Sequence, residues 1–156
     1  PMSLKLRTGA LGREFISLFS GTDADAATVP DWVTVAWRKL CHNAAGALSA
    51  LTLQPNGVLH GEAMGEVALQ LVRECVAVGR AEGAVLSDAV PDEVLAAYRR
   101  SAPNGVNSLF GDRAAGRPME TDARNGVIVR MGKKHAIPTP ANSMAVALLE
   151  TMAAPK

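Results

Sequence analysis

The chain has 156 residues, with 16 basic and 15 acidic side chains for a net charge of +1. That length supports one domain with a real core, or one domain plus a fragment of another. No basic block stands out, since runs such as Arg99-Arg100 and Lys133-Lys134 are no longer than pairs, which argues against nucleic acid or an anionic membrane as partner. Apolar residues make up 48% of the chain but aromatics only 4%, so alanine, leucine and valine must carry the core. That balance favours packed helices over a β-sandwich.

The first thirty residues differ from the rest. Pro1-Met2-Ser3 reads as a cloning remnant. Leu4-Lys5-Leu6 alternates as a strand does, and Gly9 and Gly12 lead into Phe15-Ile16 and Leu18-Phe19 at helical spacing. Gly21-Thr22-Asp23 closes that run, and Val29-Pro30-Asp31 punctuates before the next. Residues 1–30 therefore read as a strand-helix remnant with a linker, and residues 31–156 as a helical domain. Gly9-Ala10-Leu11-Gly12 invites a phosphate-loop reading. It lacks the third glycine, the lysine and a full preceding strand with its βαβ unit, and we set it aside.

From Asp31, a plausible N-cap, the period is helical: Val33, Trp37, Leu40, Ala44, Leu48 and Leu51 recur at threes and fours. Gln54-Pro55-Asn56-Gly57 ends that helix. A second helix is expected over 60–82, with Met64, Val67, Leu71, Cys75 and Val78 on its apolar face and Gly83 at C′. Pro91 suits the first turn of a third helix through Arg100. A loop then runs to about Pro118, a fourth helix spans 120–134, and a fifth starts near Thr139-Pro140 and reaches about Met152. No apolar run approaches the roughly 20 residues of a membrane span, and no signal-peptide core is apparent. Cys41 and Cys75 fall inside apolar patterns and read as buried thiols of a reducing compartment in preference to a disulfide. A cytoplasmic protein is expected.

Candidate functional residues fall in two groups. Lys39 and Asn43 lie one turn apart on the first long helix. A lysine on an amphipathic helix is ordinarily solvated, but Trp37, Leu40, Cys41 and Ala44 place this pair beside the core. Asparagine is also a mediocre helix former whose amide wants a partner. Gly46 and Ala47, next on that stripe, would leave room for a ligand. Downstream come Asn107-Ser108-Leu109-Phe110-Gly111-Asp112 and Gly116-Arg117-Pro118-Met119-Glu120-Thr121-Asp122. Glu120 either answers the helix dipole or faces a ligand. Asp112 reads as a loop anchor and Asp122 as a capping group. Asn125-Gly126 in mid-helix costs roughly 1 kcal/mol relative to alanine, which points to close approach of another helix or of a cofactor. His42, His60 and His135 lack metal-ligand spacing. Ser108 has no nucleophile elbow and no adjacent histidine.

The Trp-x-Lys-Leu-x-x-Asn helix (37–43), the Ser-x-x-x-Asp loop (108–112), Gly-Arg-x-x-Glu-x-Asp (116–122) and the turn Ile137-Pro138-Thr139-Pro140-Ala141-Asn142 resemble the ketopantoate reductase (2-dehydropantoate 2-reductase) family. The likeness runs over about residues 3–150 and includes the twelve-residue spacing from Ser108 to Glu120. It implies an all-α C-terminal helical domain, as in 6-phosphogluconate dehydrogenase-like reductases, preceded by a short remnant of a Rossmann domain. It also implies an NADP-dependent oxidoreductase acting on a small 2-keto acid, ketopantoate to pantoate in pantothenate biosynthesis, and a homodimer.

Carried over by position, Lys39 resembles the catalytic lysine and Glu120 a second catalytic acid that also positions the cofactor. Asn43 and Ser108 match substrate-binding residues. Ala47 stands where the family commonly has a second asparagine, and Asn56 is a candidate substitute. The glycine-rich unit that cradles the dinucleotide is not found, so residues 3–29 match only the final strand, helix and return segment of that domain. The isolated chain is expected to hold half an active site, with Lys39 and Glu120 facing one cleft. The alternative reading is a non-catalytic helical dimerisation or interaction module derived from the same family.

Overall fold

In the computed structural model, which describes residues 3–152, two short parallel strands open the chain. β1 (Ser3–Arg7) pairs with β2 (Asp25–Val29), from Ser3 opposite Asp25 to Arg7 opposite Val29. Parallel neighbours need a crossover, and α1 (Ala10–Ser17) supplies it. The helix enters so close to the strand that a Cβ on Gly12 would stand 2.3 Å from the Arg7 carbonyl oxygen. One ground for setting aside the segment 9–12 is therefore corrected: a strand and a βαβ frame are present, although the lysine and the third glycine are not. α1 buries none of its residues, and Leu11 and Leu18 stand open. Pro1 and Met2, read as a cloning remnant, lie outside the described residues.

The helical body begins at α2 (Trp32–Thr52). The Asp31 carboxylate accepts the Thr34 N–H at 3.0 Å as its N-cap, and that bond holds the Asp31 carboxyl below its ordinary value. A 3₁₀ turn (Asn56–His60) takes up the first residue expected of the second helix, so α3 starts later, at Glu62–Ala81. α4 (Val90–Arg100) carries Pro91 in its first turn. The expected loop before Pro118 contains a further helix, α5 (Ser108–Ala114), capped by Asn107 Oδ1 accepting the Phe110 N–H at 3.0 Å. The single helix expected over 120–134 is divided into a π-turn (Asp122–Gly126) and α6 (Val127–Lys134). α7 (Pro140–Thr151) is the last helix among the described residues. Among the described residues no helix is long and apolar enough to cross a membrane.

The core lies between α2 and α3, where Trp37, Cys41, Ala44 and Leu48 meet Leu71, Val72, Cys75 and Val78, with Val90 and Val94 of α4 closing one side. Four alanines of α2 are fully buried, and their small side chains let neighbouring helices approach its backbone closely. Cys41 and Cys75 are free thiols with Sγ atoms 3.5 Å apart, and burial pushes the Cys75 thiol well up.

A buried polar chain crosses this core. Glu74 of α3 accepts the N–H groups of Ala141 and Asn142, both at 2.9 Å, capping α7 from another helix. Its carboxylate also accepts Asn142 Nδ2 at 2.7 Å, and the same amide donates to the Leu71 carbonyl at 3.1 Å. Asn142 Oδ1 in turn accepts Asn125 Nδ2 at 2.9 Å, which also reaches the Ala44 carbonyl of α2 at 3.4 Å. Each group would be expensive to bury alone. Glu74→Ala removes an acceptor from four donors, the Ala141 and Asn142 N–H groups, the Asn142 amide and Gln70 Nε2, so it should lower stability by about 2–4 kcal/mol, with Glu74→Gln in between. Urea unfolding of the three proteins checks this.

Candidate active site

Trp32, Ala36, Lys39, Leu40 and Asn43 follow one another at threes and fours along α2 and form one wall of a groove of about 500 Å³. The opposite wall is Ala123 of the π-turn with Val127 and Met131 of α6, again spaced by four. Glu82, just past α3, stands at the rim. Lys39 is exposed and, among the described residues, its amine makes no hydrogen bond or ion pair. Glu82 is fully engaged by contrast: its carboxylate receives Lys134 Nζ at 2.8 Å and His135 Nε2 at 2.5 Å. Those two bonds, Lys134 first, hold its carboxyl below the ordinary value.

Behind Asn43, outside the residues that line the groove, lies a set of polar groups. Arg124 of the π-turn is only 9% exposed. Its Nη2 donates to Asn43 Oδ1 at 3.2 Å and reaches Ser108 Oγ, at the start of α5, at 3.5 Å. Arg124 Nη1 is buried without a partner. One guanidinium thus joins the two halves of the motif, although 65 residues separate Asn43 from Ser108.

The π-turn makes this possible. Gly126 N–H donates to the Thr121 carbonyl at 3.0 Å, a bond five residues long, while Asn125 beside it is held between α2 and α7. Gly126 itself was expected to admit another helix or a cofactor. A Cβ there would stand 2.9 Å from Asp122 Oδ1 and 3.3 Å from the Thr121 carbonyl oxygen, so the crowding comes from its own turn. Asp122, expected as a cap, forms an ion pair with Arg130 instead, and Asp112 anchors its loop by pairing with Arg117 at 2.9 Å.

The room expected beside Gly46 and Ala47 is filled from within. A Cβ at Gly46 would lie 2.8 Å from the Tyr98 hydroxyl and 3.2 Å from Asn107 Nδ2, and Ala47 is buried against Leu109 and Leu149. Tyr98 donates to the His42 carbonyl at 2.9 Å, and burial raises its phenol against the opposing charge of Arg124. Asn56 accepts Ser49 Oγ at 3.2 Å and lines a separate hollow with His42, Tyr98 and Ser101, not the Lys39 groove. Glu120 is exposed, three residues before Ala123, and is not part of the groove lining.

The sequence reading missed Arg124 and Glu82. Arg124 lies four residues before the fully buried Ile128, a spacing that places it on the inner stripe. Glu82 carries no comparable signal, because its partners are 52 and 53 residues away. Among the described residues no cluster of three His, Cys, Asp or Glu side chains is arranged to hold a metal ion. A second hollow, about 610 Å³, lies over the start of α1 but is lined by no acid, amide or lysine.

The family model described as Ketopantoate reductase PanE/ApbA C terminal matches residues 31–153. The chain belongs to the ketopantoate reductase family. It carries the helical C-terminal domain of that family. A 2-dehydropantoate 2-reductase of Caulobacter vibrioides is 57% identical over 150 residues, covering 96% of this chain and 52% of the relative. One from Mycobacterium tuberculosis is 39% identical, covering 94% and 50%. The chain thus spans about half the length of the ketopantoate reductases it matches. Among solved structures, a ketopantoate reductase of Ralstonia eutropha superposes with a TM-score of 0.83 at 34% identity, covering 97% of this chain and 51% of that one. A dimeric ketopantoate reductase of Staphylococcus aureus reaches 0.90 at 24% identity, covering 97% and 54%, a likeness of fold alone.

His42, next to Asn43, gives a pH test. Burial, reinforced by the charge of Arg38, holds its imidazole below the ordinary value of 6.5. The unfolded chain then binds the proton more readily than the folded one. Stability from this residue is complete above pH 6.5 and falls as the pH drops below it toward the folded-state value. His42→Gln should flatten that part of the profile, measured as the difference in urea midpoint between pH 7.5 and pH 5.5 buffers for the two proteins.

Proposed function

We propose that this chain is the substrate-binding and catalytic helical part of an NADPH-dependent 2-keto acid reductase that converts 2-dehydropantoate to pantoate. The observation that carries this reading is the unpaired Lys39 amine standing with Asn43 in an apolar-walled groove, with Ser108 linked to Asn43 through Arg124. Residues 1–30 belong, in this reading, to the nucleotide-binding domain, and residues 31–156 form the substrate and dimerisation domain.

The groove is suited to one end of the cofactor. Trp32, Ala36, Val127 and Met131 offer flat apolar sides for an uncharged ring and no cluster of donors for phosphates. These residues would hold the nicotinamide end; Glu120, outside that lining, is assigned the positioning of cofactor and substrate by the family resemblance alone. NADPH, when bound, supplies the hydride to the carbonyl carbon.

The chain's own residues handle the proton and the substrate. Lys39 Nζ gives a proton to the keto oxygen as negative charge gathers there, acting both as general acid and as a fixed positive charge. Asn43 and Ser108 hydrogen-bond the keto acid and fix its orientation. Asn56, held by Ser49 at another hollow, does not enter this assignment. Exposed Val85, Met144, Leu148 and Met152 supply apolar surface for a homodimer, in keeping with the dimeric Staphylococcus aureus enzyme.

In the complete protein carrying this domain, Lys39→Ala should lower kcat by about 10²- to 10⁴-fold with little change in keto acid binding, because the proton is needed only in the transition state. Asn43→Ala should chiefly raise KM, since its amide serves ground and transition states alike. Steady-state NADPH oxidation with 2-dehydropantoate reads both. A kcat within a few-fold of the parent in Lys39→Ala would return Lys39 to an ordinary solvated residue.

A further inference from the structure

We infer that Arg124 is the carboxylate-binding residue of this site and sets its preference for 2-keto acids over uncharged ketones. The inference rests on the proposed function and names the part of the substrate that the motif residues leave unassigned.

A buried cation normally has an anion or a full set of acceptors beside it, because removing charge from water is costly. Among the described residues the other arginines in ion pairs are themselves exposed and each has a carboxylate: Arg38 with Glu93, Arg80 with Asp88, Arg117 with Asp112 and Arg130 with Asp122. Arg113 spends its Nη1 on the carbonyls of Ala50 and Leu51. Arg124 is different. It is 9% exposed and pairs with no carboxylate among the described residues, and its Nη1 has no acceptor at all. Its neighbours are neutral: Asn43, Ser108 and the Tyr98 phenol, whose ionisation burial opposes. Among the described residues no carboxylate forms an ion pair with it.

The position of Arg124 says what the counter-charge is. Both atoms that Arg124 Nη2 reaches belong to the proposed substrate contacts, Asn43 Oδ1 and Ser108 Oγ. At 3.2 and 3.5 Å these contacts are long, so an incoming anion displaces them readily and gains a charge-assisted fork in exchange. Lys39 lies one turn from Asn43 on the same wall. A 2-keto acid has its carboxylate bonded directly to its carbonyl carbon. Seating the carboxylate on Arg124 therefore turns the adjacent keto oxygen toward the Lys39 side of the groove. Arg124 also supplies a donor to a site whose α2 wall has Ala47 facing the core.

The test compares 2-dehydropantoate with its methyl ester in the complete protein carrying this domain. Arg124→Met should raise KM for the acid by about 10²-fold, the usual consequence of removing one partner of a buried charge pair, while KM for the ester stays within a few-fold. Arg124→Lys, which keeps the charge and loses the fork, should fall between and leave the melting temperature near the parent. If Arg124→Met does not fold, the acid-to-ester ratio in Arg124→Lys decides alone, and an unchanged ratio overturns the inference. Equal losses for acid and ester in either variant also overturn it, because they mark a structural role. If the parent protein turns over neither compound, the proposed function fails. The inference is then judged separately by calorimetry with 2-dehydropantoate: binding that Arg124→Lys weakens supports it, and binding that is absent or unchanged contradicts it.

Discussion

The Glu74 carboxylate, buried at the centre of the helical body, is the constraint on which the site depends. It holds the first turn of α7 and the Asn142 amide, Asn142 holds Asn125, and Asn125 reaches the α2 backbone at Ala44. Four segments are fixed by one chain of hydrogen bonds in a region from which water is excluded, where such bonds are strong and their loss expensive. Apolar packing alone would allow the π-turn to slide along α2. The amide chain sets its register, and the neighbouring residues follow: Ala123 faces the groove, and Arg124 reaches Asn43 and Ser108.

Charge is distributed unevenly around that groove. Glu82 is an anion at the rim, but Lys134 and His135 already surround it. Lys39 is a cation with no partner among the described residues, and Arg124 is another with one nitrogen idle. Between them lies a neutral amide, with apolar residues opposite. In the proposed function such an arrangement would suit a small anion that also develops negative charge during reaction, as a 2-keto acid does when its carbonyl is reduced. The apolar wall serves the same end, since weak competition from water strengthens each polar contact.

The long helices were legible because their signals are local. Asp31 caps α2, Pro91 and Pro140 sit in the first turns of α4 and α7, and Gly83 takes φ +91° after α3. The remainder is set by tertiary contacts. α5 is a seven-residue helix that exists because Asn107 caps it and Arg113 ties it to carbonyls at the end of α2. The split of the fourth helix goes with the long-range hold on Asn125, next to the locally weak Gly126. Gly46 read as space for a ligand because the sequence cannot show that Tyr98 and Asn107 fill it. Lys39, Asn43 and Ser108 were recognisable as motif residues, whereas the arginine that joins Asn43 to Ser108 gave only a four-residue spacing from Ile128.

A crystal structure of the complete protein carrying this domain, with NADP⁺ and 2-dehydropantoate bound, tests the account most directly. The account predicts the keto oxygen within hydrogen-bonding distance of Lys39 Nζ, the carboxylate on Arg124, and Asn43 and Ser108 on either side. A keto acid bound away from the α2 groove, or bound there with Lys39 turned to solvent and Arg124 unmoved, would contradict it.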